Sequence, residues 1–448
     1  MCRSFYMIDG YLKVEQSGPL SGEIELSGAK NAVLVTIASF ILTNGKSILY
    51  NVPASADVYA MGELLTSLGA TVFFDAEKHQ FFVDTTSLCG WTIDADIMQK
   101  TRTSILAMGP LLARFGKAQI GGLPGGDAIG KRPIDYHLNN FKKMGISIEQ
   151  EGEFLSAHVE KLAGTRLVLE YPSVGATENL IMAAAMACGT TKIINAAVEP
   201  EVFDLIAALT KMGAKIKVEA PATITIEGVN VLQPIEHTIM VDRLEAGSLL
   251  IAAAATGGEI YIPNANAHVL DVFLLKLAEM GHTITVGENG KGIRLKATRE
   301  PKAVSFKTDS YPGFPTDLQA PMMALQCIAQ GTSIIEETVF ENRFHHAHEL
   351  IKMGANIKIE HNKVVITGVS QLSAAQVNAG DIRASMALVV AGLVAQGETT
   401  VTGLHHWKRG YDALDNKLQL LGARVNVCEK NDLNNVMVNE NMLVEKMP

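Results

Sequence analysis

The stretch IAALTKMGAKIKVE, residues 206 to 219, joins the end of an amphipathic helix to an alternating strand through a single glycine. Apolar residues recur every three or four positions before Gly213, and they alternate with charged residues after it. A glycine between two such patterns is typical of a helix C-cap, because it adopts the left-handed backbone conformation at little cost. The stretch therefore predicts a unit of helix, glycine and strand.

The same pattern occurs in five other places, so the chain carries six copies of one unit. Successive marker glycines lie 68 to 76 residues apart in the sequence. They are Gly69, Gly145, Gly213, Gly281, Gly354 and Gly422. Near-equal spacing indicates internal repeats, although a unit of about 70 residues is too long for the common solenoids.

Each copy also has an earlier half, which begins with a helix of small and apolar residues. In the third copy this half reads GATENLIMAAAMACGTTKIINAAV, residues 175 to 198. A helix that is apolar on almost all sides is expected to be buried, whereas the later helix has a charged face and is expected at the surface. Each unit therefore reads strand, buried helix, strand, surface helix, strand, strand, and three units fill a lobe of about 210 residues.

The composition is that of a globular protein, with 48% hydrophobic and 19% charged residues among 448. A net charge of −9 argues against binding to nucleic acid or to an anionic membrane surface. The sequence has no uninterrupted apolar run of membrane-spanning length and no signal peptide pattern, so we expect no membrane insertion. The five cysteines are scattered and lack CxxC spacing, which indicates reduced thiols in a cytoplasmic protein rather than disulfides or a zinc site.

The loop LPGGDAIGKRPID, residues 123 to 135, places an acid among features that attract an anion. Its glycines let backbone N–H groups approach an anion, and Lys131 and Arg132 would bind one, yet Asp127 stands between them. Elsewhere, too, polar residues interrupt the pattern at the starts of buried helices or just after the following strand. In a repeat fold these positions cluster at one end of each lobe, which suits a multiply anionic ligand.

Six motifs resemble those of the UDP-N-acetylglucosamine 1-carboxyvinyltransferases, a family of enolpyruvyl transferases. The resemblance extends in order from about residue 7 to residue 427. SGAKNA and ETVFENRF are the most specific motifs, since they distinguish this family from the sister shikimate-pathway enolpyruvyl transferases, which share the repeat architecture. The motifs are SGAKNA (27–32), LPGGDAIGKRPID (123–135), SVGATEN (173–179), FPTDLQA (314–320), ETVFENRF (337–344) and RGYD (409–412).

The resemblance implies a two-lobed, inside-out α/β barrel with six βαβαββ repeats, three in each lobe, and ligands bound between the lobes. We expect the first lobe to span residues 29–240 and to carry Asp127 on a mobile loop. The second lobe would comprise residues 1–28 and 241–430, followed by a C-terminal tail at 431–448.

The resemblance also implies a reaction. Phosphoenolpyruvate gains a proton at its methylene carbon, the 3-hydroxyl of UDP-N-acetylglucosamine attacks the adjacent carbon, and loss of phosphate leaves an enol ether. This is the first committed step of peptidoglycan synthesis, and it serves cell-wall biogenesis, cell shape and cell division. It requires a base, an acid, and cations that hold a phosphate and a carboxylate, but no metal or other cofactor.

The family's site residues carry over to this chain by motif. The expected catalytic residues are Asp127, Asp317 (the candidate base), Lys30 and Arg409. Phosphoenolpyruvate would be bound by Lys30, Arg132, Arg343, Arg383 and Arg409, with Asn31 bonding a ligand hydroxyl or phosphate. The nucleotide sugar would be bound by Arg102, Arg132, Pro133, Ile134, Asp135, Tyr136, Tyr171, Pro172, Ser173, Val174, Gly175, Asp317 and Val339. Acids that match positions orienting the arginines are Glu199, Asp242, Glu341 and Asp381.

Asp127 stands where most family members carry a cysteine that donates the proton to phosphoenolpyruvate. A carboxyl can donate a proton too, but with a reference pKa of about 3.9 it would be ionised at neutral pH. It must gain a proton from a neighbour, or bound phosphoenolpyruvate must raise its pKa, whereas nearby cations lower it. Epoxide antibiotics such as fosfomycin alkylate the family's cysteine, so aspartate predicts fosfomycin resistance.

Other interpretations of these residues stay open at this point. A Gly-Gly-Asp loop is most often a simple turn. The chain could be a paralogue for another nucleotide sugar, differing at Tyr136 and at Tyr171, where some members carry lysine. It could also be a catalytically silent binding protein, although that protein could dispense with Asp127 and Asp317. The histidines of FHHAHEL (344–350) lack the spacing of zinc-binding helices, so we expect no metal there.

Overall fold

A computed structural model describes residues 10–130 and 133–429 of the chain. Two features singled out in the sequence, Arg132 and the tail at 431–448, lie outside these described residues.

The described residues form fourteen α-helices, and five short 3-10 helices lie between other elements. The α-helices are α1 (Lys30–Ser39), α2 (Ala56–Ser67), α3 (Ala95–Met98), α4 (Met108–Phe115), α5 (Asp135–Lys143), α6 (Val174–Ala184), α7 (Pro200–Met212), α8 (Arg243–Ala255), α9 (Asp271–Glu279), α10 (Gln319–Gln326), α11 (His345–Lys352), α12 (Ile382–Val394), α13 (Leu404–Gly410) and α14 (Leu414–Leu420). The 3-10 helices are Phe40–Leu42, Arg102–Ala107, Ala267–Val269, Glu288–Gly290 and Thr316–Leu318.

The strands are short, and they occur in the order that the repeat predicts. They are β1 (Gly10–Glu15), β2 (Ser21–Glu23), β3 (Lys46–Tyr50), β4 (Thr71–Asp75), β5 (Gln80–Asp84), β6 (Thr92–Ile93), β7 (Lys117–Gly121), β8 (Ser147–Glu151), β9 (Phe154–His158), β10 (Arg166–Val168), β11 (Thr190–Ile194), β12 (Lys215–Glu219), β13 (Thr223–Glu227), β14 (Glu236–Thr238), β15 (Glu259–Asn266), β16 (Thr283–Val286), β17 (Lys291–Lys296), β18 (Phe306–Lys307), β19 (Thr332–Glu336), β20 (Asn356–Glu360), β21 (Lys363–Thr367), β22 (Gln376–Asn378), β23 (Glu398–Thr402) and β24 (Arg424–Glu429).

The strands of the described residues form six four-stranded sheets, one for each repeat. In the third repeat the order is β10-β11-β13-β12, with β10 parallel to β11 and the other two pairs antiparallel. The other sheets have the same arrangement: β14-β3-β5-β4, β6-β7-β9-β8, β2-β15-β17-β16, β18-β19-β21-β20 and β22-β23-β1-β24. The predicted βαβαββ repeat is therefore confirmed.

Two separate hydrophobic cores divide the repeats into two lobes. The core of the first lobe takes its buried residues from Ala29 to Ile239, and that of the second lobe from Leu12–Leu26 and Leu244–Val425. Helices α8, α10 and α12 contact one another inside the second lobe, as predicted for the apolar helix of each repeat. The six marker glycines all have left-handed backbones, with φ between 91° and 106°, which confirms their role at helix ends.

Two of the predicted buried helices, α4 and α10, are each preceded by a 3-10 helix. The 3-10 helix Arg102–Ala107 precedes α4, and the 3-10 helix Thr316–Leu318 precedes α10. Pro110 and Pro321 explain this difference, because each proline lacks an N–H for the carbonyl four residues earlier. The regular α-helix therefore begins only two residues before each proline.

The chain crosses between the lobes twice, and the two crossings lie side by side. Gly28 forms an antiparallel bridge with Val241, and the Asp242 N–H donates to the Ser27 carbonyl at 2.9 Å. A β-carbon at Gly28 would lie 1.8 Å from the Asn51 carbonyl oxygen, so only glycine fits at this crossing. The crossing at Gly28 leads directly into α1, which begins at Lys30, a predicted site residue.

Candidate active site

The first cluster of charged side chains joins the two lobes through a buried carboxylate, Asp57. Asp57 lies in the first turn of α2, where its two oxygens accept hydrogen bonds from Lys30 Nζ at 2.7 Å and from Arg409 Nε at 3.0 Å. Lys30 opens α1 of the first lobe, whereas Arg409 is near the end of α13 in the second lobe. The structure thus brings two predicted catalytic cations to one acid.

Asp127 belongs to the same cluster. It lies in the loop between β7 and α5, and its Oδ1 is 2.7 Å from Arg409 Nη1 and 3.2 Å from His406 Nδ1. Burial alone would raise the pKa of Asp127, but the close contact with His406 and the charges of Arg409 and Lys30 hold that pKa well below its usual range. The carboxyl is therefore ionised at neutral pH in this arrangement.

A second cluster lies within the second lobe around Asp317. Arg343 Nη2 donates to Asp317 Oδ1 at 2.7 Å, and Arg383 Nη2 donates to Asp317 Oδ2 at 2.8 Å. Burial opposes ionisation of Asp317, yet the charges and hydrogen bonds of the two arginines keep its pKa well below the usual range. Arg343 Nε and Arg383 Nη1 are buried and have no hydrogen-bond partner among residues 10–130 and 133–429, so each arginine retains a donor for an anion.

The acids that hold the arginines differ in part from those expected. Asp381 and Asp242 accept hydrogen bonds from the first backbone N–H groups of α12 and α8, so they cap helices. Arg243 instead forms a bidentate ion pair with Glu201, at 2.9 and 3.2 Å, across the lobe interface. Glu199 accepts the backbone N–H of Tyr311 at 3.4 Å, also from the opposite lobe.

The residues predicted to bind the nucleotide sugar collect mainly at two helix N-termini. Residues 133–136 lead into α5 and residues 171–175 lead into α6, and these two helices are in contact. Ser173 caps α6 by accepting the Ala176 N–H at 3.4 Å. The first N–H groups of a helix have no carbonyl partner within that helix, so two neighbouring helix N-termini are suited to binding phosphate.

The remaining predicted site residues lie at the edges of these groups. Tyr171 accepts a hydrogen bond from Ser310 of the second lobe, at 3.3 Å between the oxygens. Val339 donates its N–H to Glu337 at 2.8 Å, and Arg102 begins the 3-10 helix before α4. Asn31 is exposed in the first turn of α1. Arg132 was predicted to contact both substrates, and it lies outside the described residues.

Sequence reasoning missed Asp57 and His137, both of which are buried in the site region. Asp57 follows the second strand of its repeat, the strand after the buried helix, as Glu199, Asp127 and Arg409 do in theirs. Superposing the six copies by their marker glycines would have found it. His137 offers no comparable signal, since a histidine early in a helix is unremarkable by itself.

Two kinds of feature are absent from the described part of the chain. No helix there is long and apolar enough to cross a membrane. No group of three or more histidine, cysteine, aspartate or glutamate side chains in the same ranges could hold a metal ion.

Comparison with known sequences connects this geometry to one family. The family model for EPSP synthase (3-phosphoshikimate 1-carboxyvinyltransferase) matches residues 14–418. The UDP-N-acetylglucosamine 1-carboxyvinyltransferase 1 of Halalkalibacterium halodurans is 49% identical over 408 residues, which cover 91% of this chain and 92% of that protein. The UDP-N-acetylglucosamine 1-carboxyvinyltransferase 1 of Caldanaerobacter subterraneus is 47% identical over 412 residues, or 92% and 98% of the two chains.

Solved structures agree in fold. The enolpyruvyl transferase NikO from Streptomyces tendae superposes with a TM-score of 0.84 at 23% identity, covering 94% of this chain and 99% of that one. EPSP synthase from Acinetobacter baumannii gives a TM-score of 0.72 at 16% identity, covering 94% and 100%. The matches in sequence along nearly the whole chain establish that the chain belongs to the EPSP synthase family of enolpyruvyl transferases, among the UDP-N-acetylglucosamine 1-carboxyvinyltransferases.

Proposed function

We propose that this chain transfers the enolpyruvyl group of phosphoenolpyruvate to the 3-hydroxyl of UDP-N-acetylglucosamine and releases phosphate, as the first committed step of peptidoglycan synthesis. The observation that carries the proposal is the pair of carboxylates, Asp127 and Asp317, each held by cations of a separate cluster. One reaction that needs an acid, a base and cations for two anionic groups accounts for both clusters.

The two clusters suit the two charged ends of phosphoenolpyruvate. Lys30 and Arg409 would bind its phosphate, because both already bind the carboxylate of Asp57 and lie beside Asp127. Arg343 and Arg383 would bind its carboxylate through guanidinium forks, which match a planar anion better than a lysine does. Their partnerless nitrogens support this assignment.

Asp317 is the proposed base and Asp127 the proposed acid. Asp317 would accept the proton of the sugar 3-hydroxyl while Asp127 delivers a proton to the methylene carbon of phosphoenolpyruvate. The resulting tetrahedral adduct then loses phosphate and a proton from the new methyl group, which forms the enol ether. The low pKa of Asp317 suits a group that must be unprotonated before the reaction begins.

The nucleotide sugar is proposed to bind at the N-termini of α5 and α6, beside Arg102. Helix N-termini and an arginine are suited to a diphosphate, which supports this position. Arg132 and Val339 complete the proposed set, and Tyr171 adds a contact to Ser310 of the other lobe. Tyr171 would take the place of the lysine that some relatives carry.

The lobe boundaries and the location of the protein are part of the same proposal. The two cores support a first lobe at 29–240 and a second lobe at 1–28 plus 241–430. Cys89, Cys188, Cys327 and Cys428 are unpaired thiols, which supports a cytoplasmic location.

The test is the release of phosphate from phosphoenolpyruvate, measured with UDP-N-acetylglucosamine and then with other UDP-sugars. We expect release with UDP-N-acetylglucosamine, and a loss of roughly 10²- to 10⁴-fold in Asp317→Asn. Asp309→Asn, at an exposed acid of the same lobe, is the matched control and should keep full activity. A preference for another UDP-sugar would indicate the paralogue, and binding without release would indicate the silent binding protein.

A further inference from the structure

His137 is a buried histidine, and one edge of its imidazole ring faces the start of α6. It lies in the first turn of α5 and is 5% exposed. A β-carbon built at Gly175 would lie 3.5 Å from His137 Cε1 and 3.6 Å from His137 Nε2. The Cε1–Nε2 edge of the imidazole therefore faces the first turn of the helix that begins at Val174.

The imidazole is neutral. Burial, assisted by the positive charge of Arg102, lowers the pKa of His137 to about 3. A neutral imidazole carries a proton on only one of its two nitrogens, and the other nitrogen is an acceptor. Its chemistry here depends on which nitrogen holds the proton.

Asn179 determines which nitrogen of the His137 imidazole carries the proton. Its Oδ1 accepts the backbone N–H of Gly109 at 2.7 Å, and its Nδ2 donates to the Ile105 carbonyl at 3.0 Å, so the amide can take only one orientation. The same Nδ2 is 3.0 Å from His137 Nδ1 and must donate to it. Nδ1 is therefore the acceptor, and the proton resides on Nε2.

His137 Nε2 makes no hydrogen bond within residues 10–130 and 133–429. Its N–H thus points at the place where the N-termini of α5 and α6 meet, near Arg102. These groups all favour an anion, and an unpartnered N–H on a side chain that is only 5% exposed, directed at two helix N-termini, is suited to a ligand there.

We propose that His137 binds the nucleotide sugar as a neutral donor, giving its Nε2–H to an oxygen of the diphosphate in the tautomer that Asn179 selects. The inference rests on the proposed function, because the diphosphate is that of the nucleotide substrate. A neutral donor adds a directed hydrogen bond where Arg102 already supplies positive charge.

The tautomer can be measured without any substrate. In the full-length enzyme labelled with ¹⁵N-histidine, NMR at pH 7 should show His137 protonated at Nε2 and not at Nδ1. The spectrum of His137→Gln assigns the signal. A proton on Nδ1, or on both nitrogens, would overturn the inference whatever the enzyme's activity.

The ligand contact is tested by calorimetric titration with UDP and with uridine. We expect His137→Leu to weaken UDP binding by roughly 10- to 100-fold, and His137→Gln, which retains an N–H donor, to recover part of the loss. Uridine affinity and the KM for phosphoenolpyruvate should stay within about twofold of wild type, which a general loss of structure would not allow. His158→Leu, at an exposed histidine of the first lobe, is the control.

The outcomes separate this inference from the proposed function. If His137→Leu binds UDP as tightly as an active wild-type enzyme, the inference is wrong and the proposed function stands. If the wild type binds UDP in a His137-dependent manner but releases no phosphate from phosphoenolpyruvate, the inference stands and the proposed function is wrong. A wild-type enzyme that neither binds UDP nor releases phosphate with UDP-N-acetylglucosamine would overturn both.

Discussion

Asp127 and Arg409 come from different lobes, and Asp127 Oδ1 is 2.7 Å from Arg409 Nη1. Arg409 also binds Asp57 through Nε, so one guanidinium joins two carboxylates of the first lobe to the second. An acid in this position is ionised, whereas a proton donor must be protonated. Substrate anions that bind Arg409 and Lys30 would weaken the hold of these cations on Asp127 and so raise its pKa. Substrate binding would then be linked to proton donation.

The fork of Arg409 is the first feature to test. Arg409→Lys keeps the charge but cannot reach both Asp57 and Asp127, so we expect kcat/KM to fall by roughly 10²-fold. Steady-state phosphate release measures this change. Arg294→Lys, at an exposed ion pair with Glu259, is the control. A near-normal Arg409→Lys enzyme would remove Arg409 from the active site.

Removing one arginine charge should move the ionisation of Asp317 toward the accessible part of the pH profile. The charges of Arg383 and Arg343 offset the effect of burial and lower the pKa of Asp317, so removing one charge must raise that pKa. In Arg383→Gln we expect the acid limb of kcat/KM to move upward by about one pH unit or more, besides an overall loss of activity. Lys307→Gln, at an exposed pair with Asp309, should leave the limb in place. If the limb of Arg383→Gln does not move, Asp317 is not the base.

The repeat could be predicted from sequence because its signals are local. A glycine such as Gly213 ends a helix through its own backbone, and the strand that follows shows its alternation within five residues. The six sheets then follow from repetition of one unit. The 3-10 starts before α4 and α10 were missed, although Pro110 and Pro321 carry a local signal for them.

The partners within the site could not be predicted in the same way. Asp57 and Arg409 are 352 positions apart, and no local pattern connects them. Asp381 was expected to orient an arginine, yet it is bonded to the backbone of its own helix, while Asp317 holds Arg383. The family motifs indicated which residues gather at the site, but the pairing among them depends on how the lobes meet.

Stability at the crossing between the lobes should depend on Glu245. Its Oε2 accepts the Ser27 N–H at 3.0 Å, and its Oε1 contacts Lys417 Nζ. Burial raises the pKa of Glu245 to about 7, in spite of the charge of Lys417. Because this pKa is raised in the folded state, the associated stability is present below the unfolded value near 4.5 and is lost as pH rises through 7.

Glu245→Gln removes this titration and nearly keeps the shape of the side chain. From pH 5 to 8, the wild type should lose about 3 kcal/mol of unfolding free energy relative to Glu245→Gln. Thermal-unfolding midpoints measured across this range give the comparison. The exposed Glu227→Gln variant should follow the wild type. Parallel curves for the wild type and Glu245→Gln would show that Glu245 does not titrate in this range.

Asp127 should make the enzyme insensitive to fosfomycin while it still acts as the proton donor. A thiolate attacks an epoxide readily, whereas a carboxylate is a poor nucleophile toward it, and Asp127 is further held by Arg409 and His406. We therefore expect unchanged activity and no added mass on the intact wild-type protein. Asp127→Cys should retain turnover and gain one inhibitor mass.

Asp127→Asn keeps the shape of the loop but cannot give up a proton, so its turnover should fall by roughly 10²- to 10⁴-fold. Full activity in Asp127→Asn would mean that another residue is the acid, and alkylation of the wild type would mean that one of its own cysteines reaches the site.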